Sequence, residues 1–224
     1  MSAVLLFIST FLVSWMFWLS SGRNKIVLYV LLFWVGLQSV LAVSGFYFDT
    51  TSLPPKQALM IAPSVALLIG LLIAPKGRVF LKGLDLKLLT QLHIVRVPVE
   101  IMLWMLFMDH LLSVDLTFEG TNFDIIMGIT APLVSYSYFV KKIMSPKLLM
   151  LWNLASLILL LNVVVRAVLS VESPFQAFGF DQPNVAMLHF PFNLLPALIV
   201  PIVLYSNVAA LLQLSTNSVR NTSH

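Results

Sequence analysis

The sequence predicts an all-α membrane protein of seven transmembrane helices, and three observations lead to this fold class. Hydrophobic residues make up 59% of the 224 positions and charged residues only 10%, far below the share of about a quarter that is usual in soluble domains. Apolar runs long enough to cross a bilayer recur along the whole chain. Between these runs, basic and acidic loops alternate, as expected when successive loops lie on opposite sides of a membrane.

Each predicted span is an apolar run of about 20 residues, the length that a helix needs to cross a bilayer. No Lys or Arg precedes the first run, whereas Arg23 and Lys25 follow it. We therefore expect a retained helix and not a cleaved signal peptide. The fifth run is the shortest. The runs, in order, are 3–19, 26–47, 58–75, 88–112, 125–140, 148–171 and 192–215.

The distribution of charge predicts the orientation. Lys and Arg in short loops resist translocation, so the side that holds them is cytoplasmic. This places the N-terminus outside and the C-terminus in the cytoplasm, and an even number of spans would break the pattern. The basic side holds Arg23, Lys25, Lys76, Arg78, Lys82, Lys87, Lys141, Lys142, Lys147 and Arg220, with Asp85 as its one acid. The opposite side holds Asp49, Asp109, Asp115, Glu119, Asp124, Glu172 and Asp181, with Lys56 as its one base.

The composition excludes several classes of function. The chain contains no Cys, which rules out disulfides, thiolate metal ligands and thiol nucleophiles. It also lacks a G-x-S-x-G elbow, a P-loop and a G-x-G-x-x-G motif. The expected partner is the lipid bilayer, and nothing in the sequence predicts binding to a nucleic acid.

The fourth span carries the most informative polar residues. His93, Arg96 and Glu100 are spaced at i, i+3 and i+7, so they share one helix face. Glu100 lies about 18 Å along the helix from Leu88, near the bilayer midplane. Because a central charge costs on the order of 3 kcal/mol, this face is expected to look inward and Arg96 to pair with Glu100. The pair is either structural or part of a site.

Prolines are expected to interrupt several spans. Pro98 removes a backbone donor between Arg96 and Glu100, so the Ile94 carbonyl loses its helical partner and the helix is expected to bend. Such breaks need partners from neighbouring helices or a water-filled cavity. The pattern predicts either an outward-opening cavity or ordinary helix curvature. The third, fifth and seventh spans carry Pro63, Pro132 and Pro196 near their outer ends.

The sixth span adds Asn162 and Arg166, one turn apart on a common face towards the outside. Arg166 is expected either to pair with Glu100 or to extend to the outer interface. The candidate substrate- or ion-binding residues are therefore His93, Arg96, Glu100, Asn162 and Arg166.

The outer loops gather carboxylates and two histidines, from which a divalent metal ion can draw ligands. No recognised metal motif such as H-E-x-x-H is present, and acids on the outer side are also what the charge rule leaves there. Thr121, Asn122 and Asp124 are alternatively expected to cap the fifth helix. The candidate metal ligands are His110, Glu119, Asp124 and His189.

Five short segments carry a resemblance to a known family: His93–Glu100, Thr117–Ile125, Thr130–Pro132, Asp181–Val185 and Phe190–Phe192. In these segments the chain resembles an uncharacterised bacterial family of membrane proteins for which no activity is known. The resemblance implies a bacterial cytoplasmic membrane and assigns no functional residue. Rhodopsins share the seven-helix topology, but the seventh span contains no Lys, so no retinal Schiff base is expected there.

Three functions are compatible with these features. The first is a small-molecule or ion transporter whose outward cavity is lined by the five candidate binding residues, with Glu100 as the proton or ion site. The second is a membrane enzyme that acts at the outer face on a lipid or lipid-linked substrate through the four candidate ligands. The third is a non-catalytic assembly partner or sensor. The depth of the charges favours transport, whereas the substrate, any cofactor and the oligomeric state do not follow from the sequence.

Overall fold

The structure, a computed structural model, describes residues 1–49, 52 and 55–221, with side chains up to residue 216. The regular secondary structure of these residues is entirely helical. Arg220, which the charge pattern assigns to the basic side, lies beyond the described side chains. The α-helices of the described residues are α1 Ser2–Ser20, α2 Lys25–Val43, α3 Ala58–Ile73, α4 Pro75–Gly83, α5 Leu86–Leu92, α6 Arg96–Met108, α7 Asp124–Ser135, α8 Pro146–Leu169 and α9 Val200–Asn221.

Shorter turns connect or extend several of these helices. The 3-10 turn His93–Val95 joins α5 to α6 directly before Pro98, so the regular α-helical pattern breaks at the carbonyl that Pro98 leaves without a donor. The π-helical segment Tyr136–Val140 extends α7, and Leu195–Ile199 leads into α9. Both π segments lie close to a proline of the predicted fifth or seventh span.

Five helical segments within the described residues are long and apolar enough to cross a membrane, as judged by length and composition. The α3 and α4 helices are bent by 102° relative to each other and give a sixth if they are taken as one span. The apolar helix Asp124–Val140 is shorter. The five segments are Ser2–Ser20, Lys25–Val43, Leu86–Met108, Pro146–Leu169 and Leu195–Thr216.

The basic and acidic loops lie at opposite ends of the bundle. At one end, the Asp85 amide donates to the Ser20 carbonyl, and Gln213 donates to the Leu81 and Leu84 carbonyls. These contacts join the C-terminal ends of α1 and α9 to the basic segment around α4. At the other end, the loop before α9 bonds to the C-terminal ends of α6 and α8, through contacts such as that between the Asn184 amide and the Ser170 carbonyl.

The polarity of the bundle suits lipid and not water. Large apolar side chains point outwards, among them Ile26, Phe33 and Val40 on α2, which are 72%, 69% and 67% exposed. The interior instead buries polar side chains, such as Asn153 and Asn207. A soluble protein rarely exposes contiguous apolar surface on this scale. The described helices therefore have the length, composition and exposed apolar surface expected of a membrane protein.

Candidate functional site

A glycine allows α7 to approach α6 closely. Gly128 lies one turn after Asp124, and a Cβ placed on it would lie 2.8 Å from Val97 Cγ2 and 2.9 Å from the Val97 nitrogen. A larger residue must therefore push the two helices apart, since small residues set the distance between packed membrane helices. The first turn of α7 reaches the buried face of α6 because of this contact.

Arg96 and Asp124 form a buried ion pair across this contact. Arg96 Nη1 donates to Asp124 Oδ1 over 2.8 Å, and the two side chains are only 4% and 7% exposed. The same guanidinium donates to the Ser156 carbonyl of α8 at 3.4 and 3.5 Å. Among the described residues, the expected pair between Arg96 and Glu100 is not formed. The physical reason is that α7 brings a carboxylate closer to the guanidinium than the one on the same helix.

Glu100 is held by Asn122 instead. Asn122 Nδ2 donates to Glu100 Oε1 at 2.5 Å and to the Leu116 carbonyl at 3.0 Å, which uses both of its donor positions. Its Oδ1 accepts a hydrogen bond from the Asp124 amide at 3.0 Å. Asn122 therefore serves the first turn of α7, as the capping interpretation expected, although Phe123 occupies the N-cap position.

The loop before α7 depends on a glycine to place Asn122. A Cβ on Gly120 would lie 2.2 Å from the Val114 carbonyl oxygen, so only glycine fits without a shift of the backbone. The backbone N–H of Asn122 donates to the Thr117 carbonyl at 3.2 Å. These contacts fix the position from which Asn122 reaches Glu100.

A cavity of about 110 Å³ opens beside Glu100. Its walls come from α3, α6, α8, the loop before α9 and the first turns of the Leu195–Thr216 segment. Most of the lining is aliphatic, with Val99, Leu160 and Val203 as examples. The polar residues that line it are Gln57, Arg96, Glu100, Asn122, Asp124 and Asn184.

Four buried polar atoms of the lining lack a hydrogen-bond partner among the described residues. They are Gln57 Oε1, Arg96 Nε, Glu100 Oε2 and Asn184 Oδ1. Asn184 Nδ2 is used, since it donates to the Ala167 carbonyl at 3.2 Å. Buried polar atoms are normally paired, so a ligand bound in the cavity can form hydrogen bonds with these atoms.

The charges of the cavity do not balance. Arg96 and Asp124 neutralise each other through their ion pair. No basic group of the described residues forms an ion pair with Glu100. A buried acid without a cation holds a proton, or it attracts a positively charged ligand.

His93 lies outside this cavity, although it is fully buried. Neither ring nitrogen has a hydrogen-bond partner among the described residues, and the ring meets Trp152 edge-on at 5.2 Å. Asn153 and Asn207 also bury polar atoms without a partner there. Their positions along the helices place all three between the cavity and the basic end.

Asn162 and Arg166 do not line the cavity either. Arg166 Nε donates to Asn162 Oδ1 at 3.1 Å, and Asn162 Nδ2 donates to the Thr121 carbonyl at 3.1 Å. The guanidinium of Arg166 lies over the Phe178 ring, 4.9 Å from its centre. Arg166 therefore extends towards the outer end of the bundle, which is the second of the two alternatives. It does not pair with Glu100.

The four candidate metal ligands have separate surroundings. His110 Nδ1 lies 3.5 Å from Gln182 Oε1, and the His189 ring packs against Phe48 at 4.7 Å. Glu119 Oε1 accepts from Trp104 Nε1 at 2.9 Å, and Asp124 pairs with Arg96. In the part of the chain that the structure describes, no group of three or more His, Asp or Glu residues is placed to hold a metal ion. The expected ligand set His110, Glu119, Asp124 and His189 is therefore not assembled.

The prolines do not converge on one space. Pro196 lines the cavity beside Glu100, whereas Pro63 and Pro201 line a different, apolar groove. Pro132 lines neither of these two spaces. Of the three outer prolines, one therefore lines the cavity beside Glu100.

A family model matches residues 53–215 of the chain, which include every residue of the cavity described above. The chain belongs to this family. The family is described as domain of unknown function DUF8737, and that description names no activity. No curated protein and no solved structure matches the chain.

In this DUF8737 protein, the sequence analysis gave no role to two polar residues of the cavity, Gln57 and Asn184. Asn122 and Asp124 were expected to cap the fifth helix, and Asp124 was also a candidate metal ligand. The signal in the sequence was the pair of polar residues, Asn122 and Asp124, at the start of the short fifth span, because the charged residues of the fourth span need buried polar partners. Asn184 had no comparable signal, because its place beside the cavity depends on how the last outer loop folds.

Proposed function

We propose that this DUF8737 protein spans a bacterial cytoplasmic membrane seven times, with its N-terminus outside and its C-terminus in the cytoplasm. The segregation of basic and acidic loops to opposite ends of the bundle supports this orientation. The seven predicted runs each correspond to a described apolar helix, with α3 as the third span and Asp124–Val140 as the fifth. In this arrangement α4 lies along the cytoplasmic surface.

Within this membrane placement, we propose that the protein is a transporter of a small solute or ion, with the cavity as its binding site. One observation carries the proposal: the free oxygen of Glu100 is buried at the wall of a cavity and has no partner among the described residues. Ionisable residues inside a bundle commonly mark transport pathways. The polar residues between the cavity and the basic end extend the polar route towards the cytoplasm.

The lining defines the chemistry of the ligand. Gln57 Oε1, Glu100 Oε2 and Asn184 Oδ1 are acceptors without a partner among the described residues, so they favour a ligand with hydrogen-bond donors or a positive charge. The aliphatic walls favour an apolar body behind that donor group. A small amphipathic cation fits both requirements, and Glu100 can release a proton in exchange for it.

The other two functions have less support. The enzyme hypothesis relied on a metal ion at the outer face, but the four candidate ligands contact separate neighbours and do not form one site among the described residues. An assembly partner needs the charged helix to face another subunit, whereas Arg96 and Glu100 are buried within the chain itself. The cavity is therefore better explained by a bound solute.

The transport proposal is tested by Glu100→Gln, which keeps the shape of the side chain and removes its charge. The purified protein is reconstituted in liposomes that contain a pH-sensitive dye, and gradients of Na⁺, K⁺ or butylguanidinium are applied. We expect at least one gradient to drive proton movement with the native chain and to lose that effect in Glu100→Gln.

The matched control is Glu172→Gln, the same substitution at an exposed acid of the last outer loop. It is expected to leave the flux unchanged. Equal flux in the native protein and Glu100→Gln would remove Glu100 from the mechanism. Native protein that responds to none of the three gradients would argue against cation transport.

A further inference from the structure

A second, larger space lies on the opposite side of α9 from the charged cavity. It is an apolar groove of about 520 Å³ between α1, α2, α3, α4 and α9. Along α2 it extends from Ile26 to Trp34, which is about 12 Å of helix and close to half the thickness of a bilayer core. Phe80 of the amphipathic helix α4 lines its basic end.

The polar ring atoms of the groove are already used. Trp34 Nε1 donates to the Ala197 carbonyl at 2.7 Å, and Tyr205 Oη donates to the Ser64 carbonyl at 2.8 Å. The remaining wall is mainly aliphatic and aromatic. The groove therefore has the lining expected for a hydrocarbon chain, and it contrasts with the free acceptors of the charged cavity.

Two exposed lysines are neighbours, along the chain or one helical turn away, of residues that line the basic end of the groove. Asn24 and Ile26 line it, and the exposed residue Lys25 lies between them in the chain. Lys76 lies one turn before Phe80 on α4, so the two share a helix face, and Lys76 is exposed as well. The nearest acid along the chain, Asp85, accepts a hydrogen bond from the Leu88 amide and caps α5.

We propose that the groove is a binding site for one anionic phospholipid of the cytoplasmic leaflet. An acyl chain lies against α2 and α3, and the headgroup phosphate lies between Lys25 and Lys76. The charge complementarity selects an anionic lipid, since basic residues next to the bilayer attract acidic headgroups. This site depends on the membrane placement proposed above, but it does not depend on transport.

The test is native mass spectrometry of the full-length protein in detergent with added phosphatidylglycerol or phosphatidylcholine of identical acyl chains. We expect one phosphatidylglycerol to bind more tightly than phosphatidylcholine. Lys25→Gln and Lys76→Gln are each expected to lower the affinity for phosphatidylglycerol on the order of fivefold and to lower that for the zwitterionic phosphatidylcholine less. Leu67→Trp, which places a larger ring in the groove, is expected to weaken both lipids.

Lys147→Gln is the matched control, because Lys147 is an exposed lysine of the basic side on α8, a helix that contributes no residue to the groove. It is expected to keep the affinity of the native protein. Equal affinity for both lipids, or an equal loss in Lys147→Gln, would overturn the proposal. So would a dimer that Leu67→Trp dissociates, because a second copy of the chain would then occupy the groove.

Discussion

Arg96 gives its two acidic neighbours different roles. Its guanidinium forms the ion pair with Asp124, while Glu100 accepts from the Asn122 amide. Burying two opposite charges is costly, and their attraction repays that cost only when further hydrogen bonds are made. Here the Ser156 carbonyl supplies one of them. The pair therefore stabilises the position of α7, and Glu100 remains available to the cavity.

The first prediction at this scale concerns the ion pair. Asp124→Leu leaves Arg96 buried beside the Ser156 carbonyl without its counter-charge. We expect the free energy of unfolding to fall on the order of 3–5 kcal/mol, as for other buried pairs that lose one partner. Denaturant unfolding of the purified protein in detergent measures this loss.

The double variant, Arg96→Met with Asp124→Leu, separates pairing from packing. It is expected to recover most of the stability, because no uncompensated charge remains buried. Asp181→Leu, at an exposed loop acid, is expected to change stability by less than about 0.5 kcal/mol. If the double variant were as unstable as the single one, the ion pair would not be the cause.

At the scale of elements, the contact between α6 and α7 sets the geometry of the site. Gly128→Ala places a methyl group against the Val97 backbone nitrogen at 2.9 Å. Because the backbone cannot rotate away as a side chain does, α7 is expected to shift and to carry Asp124 away from Arg96. We predict a lower unfolding temperature and loss of the Glu100-dependent flux.

Gly70→Ala is the control for the general effect of Ala in a helix. Gly70 lies inside α3, and a Cβ there meets nothing within 4 Å. Its replacement is expected to be neutral or slightly stabilising, since Ala favours helix by up to about 1 kcal/mol relative to Gly. If both glycine variants behaved alike, close packing at Gly128 would not be needed for the site.

The positions of the helices could be predicted from the sequence, whereas most contacts between the helices could not. Apolar run length located α1, α2, α8 and the central part of the other long apolar helices, because the bilayer fixes how many residues a spanning helix needs. The inward face of the fourth span also followed from the spacing of Arg96 and Glu100. The partner of Arg96 did not, because it depends on a glycine on another helix and on the resulting interhelical distance.

The candidate site was predictable to a similar extent. Arg96, Glu100 and Asp124 were all candidates, but Asp124 was assigned to a metal set and not to the cavity. Asn162 and Arg166 share a helix face as expected, yet that face meets Thr121 and Phe178 and not Glu100. Spacing along a helix shows which residues share a face, but the neighbour of that face is decided by tertiary packing.

At the scale of the whole molecule, the cavity and the groove have linings of different polarity. The cavity beside Glu100 carries free acceptors, whereas the groove beside α2 has its ring donors already bonded to carbonyls. The Leu195–Thr216 segment contributes to the walls of both. A shift of this segment would change the shape of both spaces together, so the proposed lipid in the groove would alter the affinity of the cavity for its proposed ligand.

The fifth span provides the most demanding test of the seven-span topology. Asp124–Val140 is the short apolar helix, and a helix of this size reaches about 25 Å, less than the roughly 30 Å of a bilayer core. Crossing is still expected, because the loop before it is acidic and the loop after it contains Lys141, Lys142 and Lys147. Local thinning of the bilayer accommodates a short helix at modest cost.

The chain contains no Cys, so single cysteines report the side of the membrane without background. Glu119→Cys precedes the fifth span, Lys147→Cys follows it, and both positions are exposed. A membrane-impermeant maleimide added to intact cells is expected to label Glu119→Cys at once and Lys147→Cys only after permeabilisation. Labelling of both positions from outside would mean that Asp124–Val140 enters and leaves on one side. The charged cavity would then lie beside a re-entrant helix, and the orientation of every later span would have to be reversed.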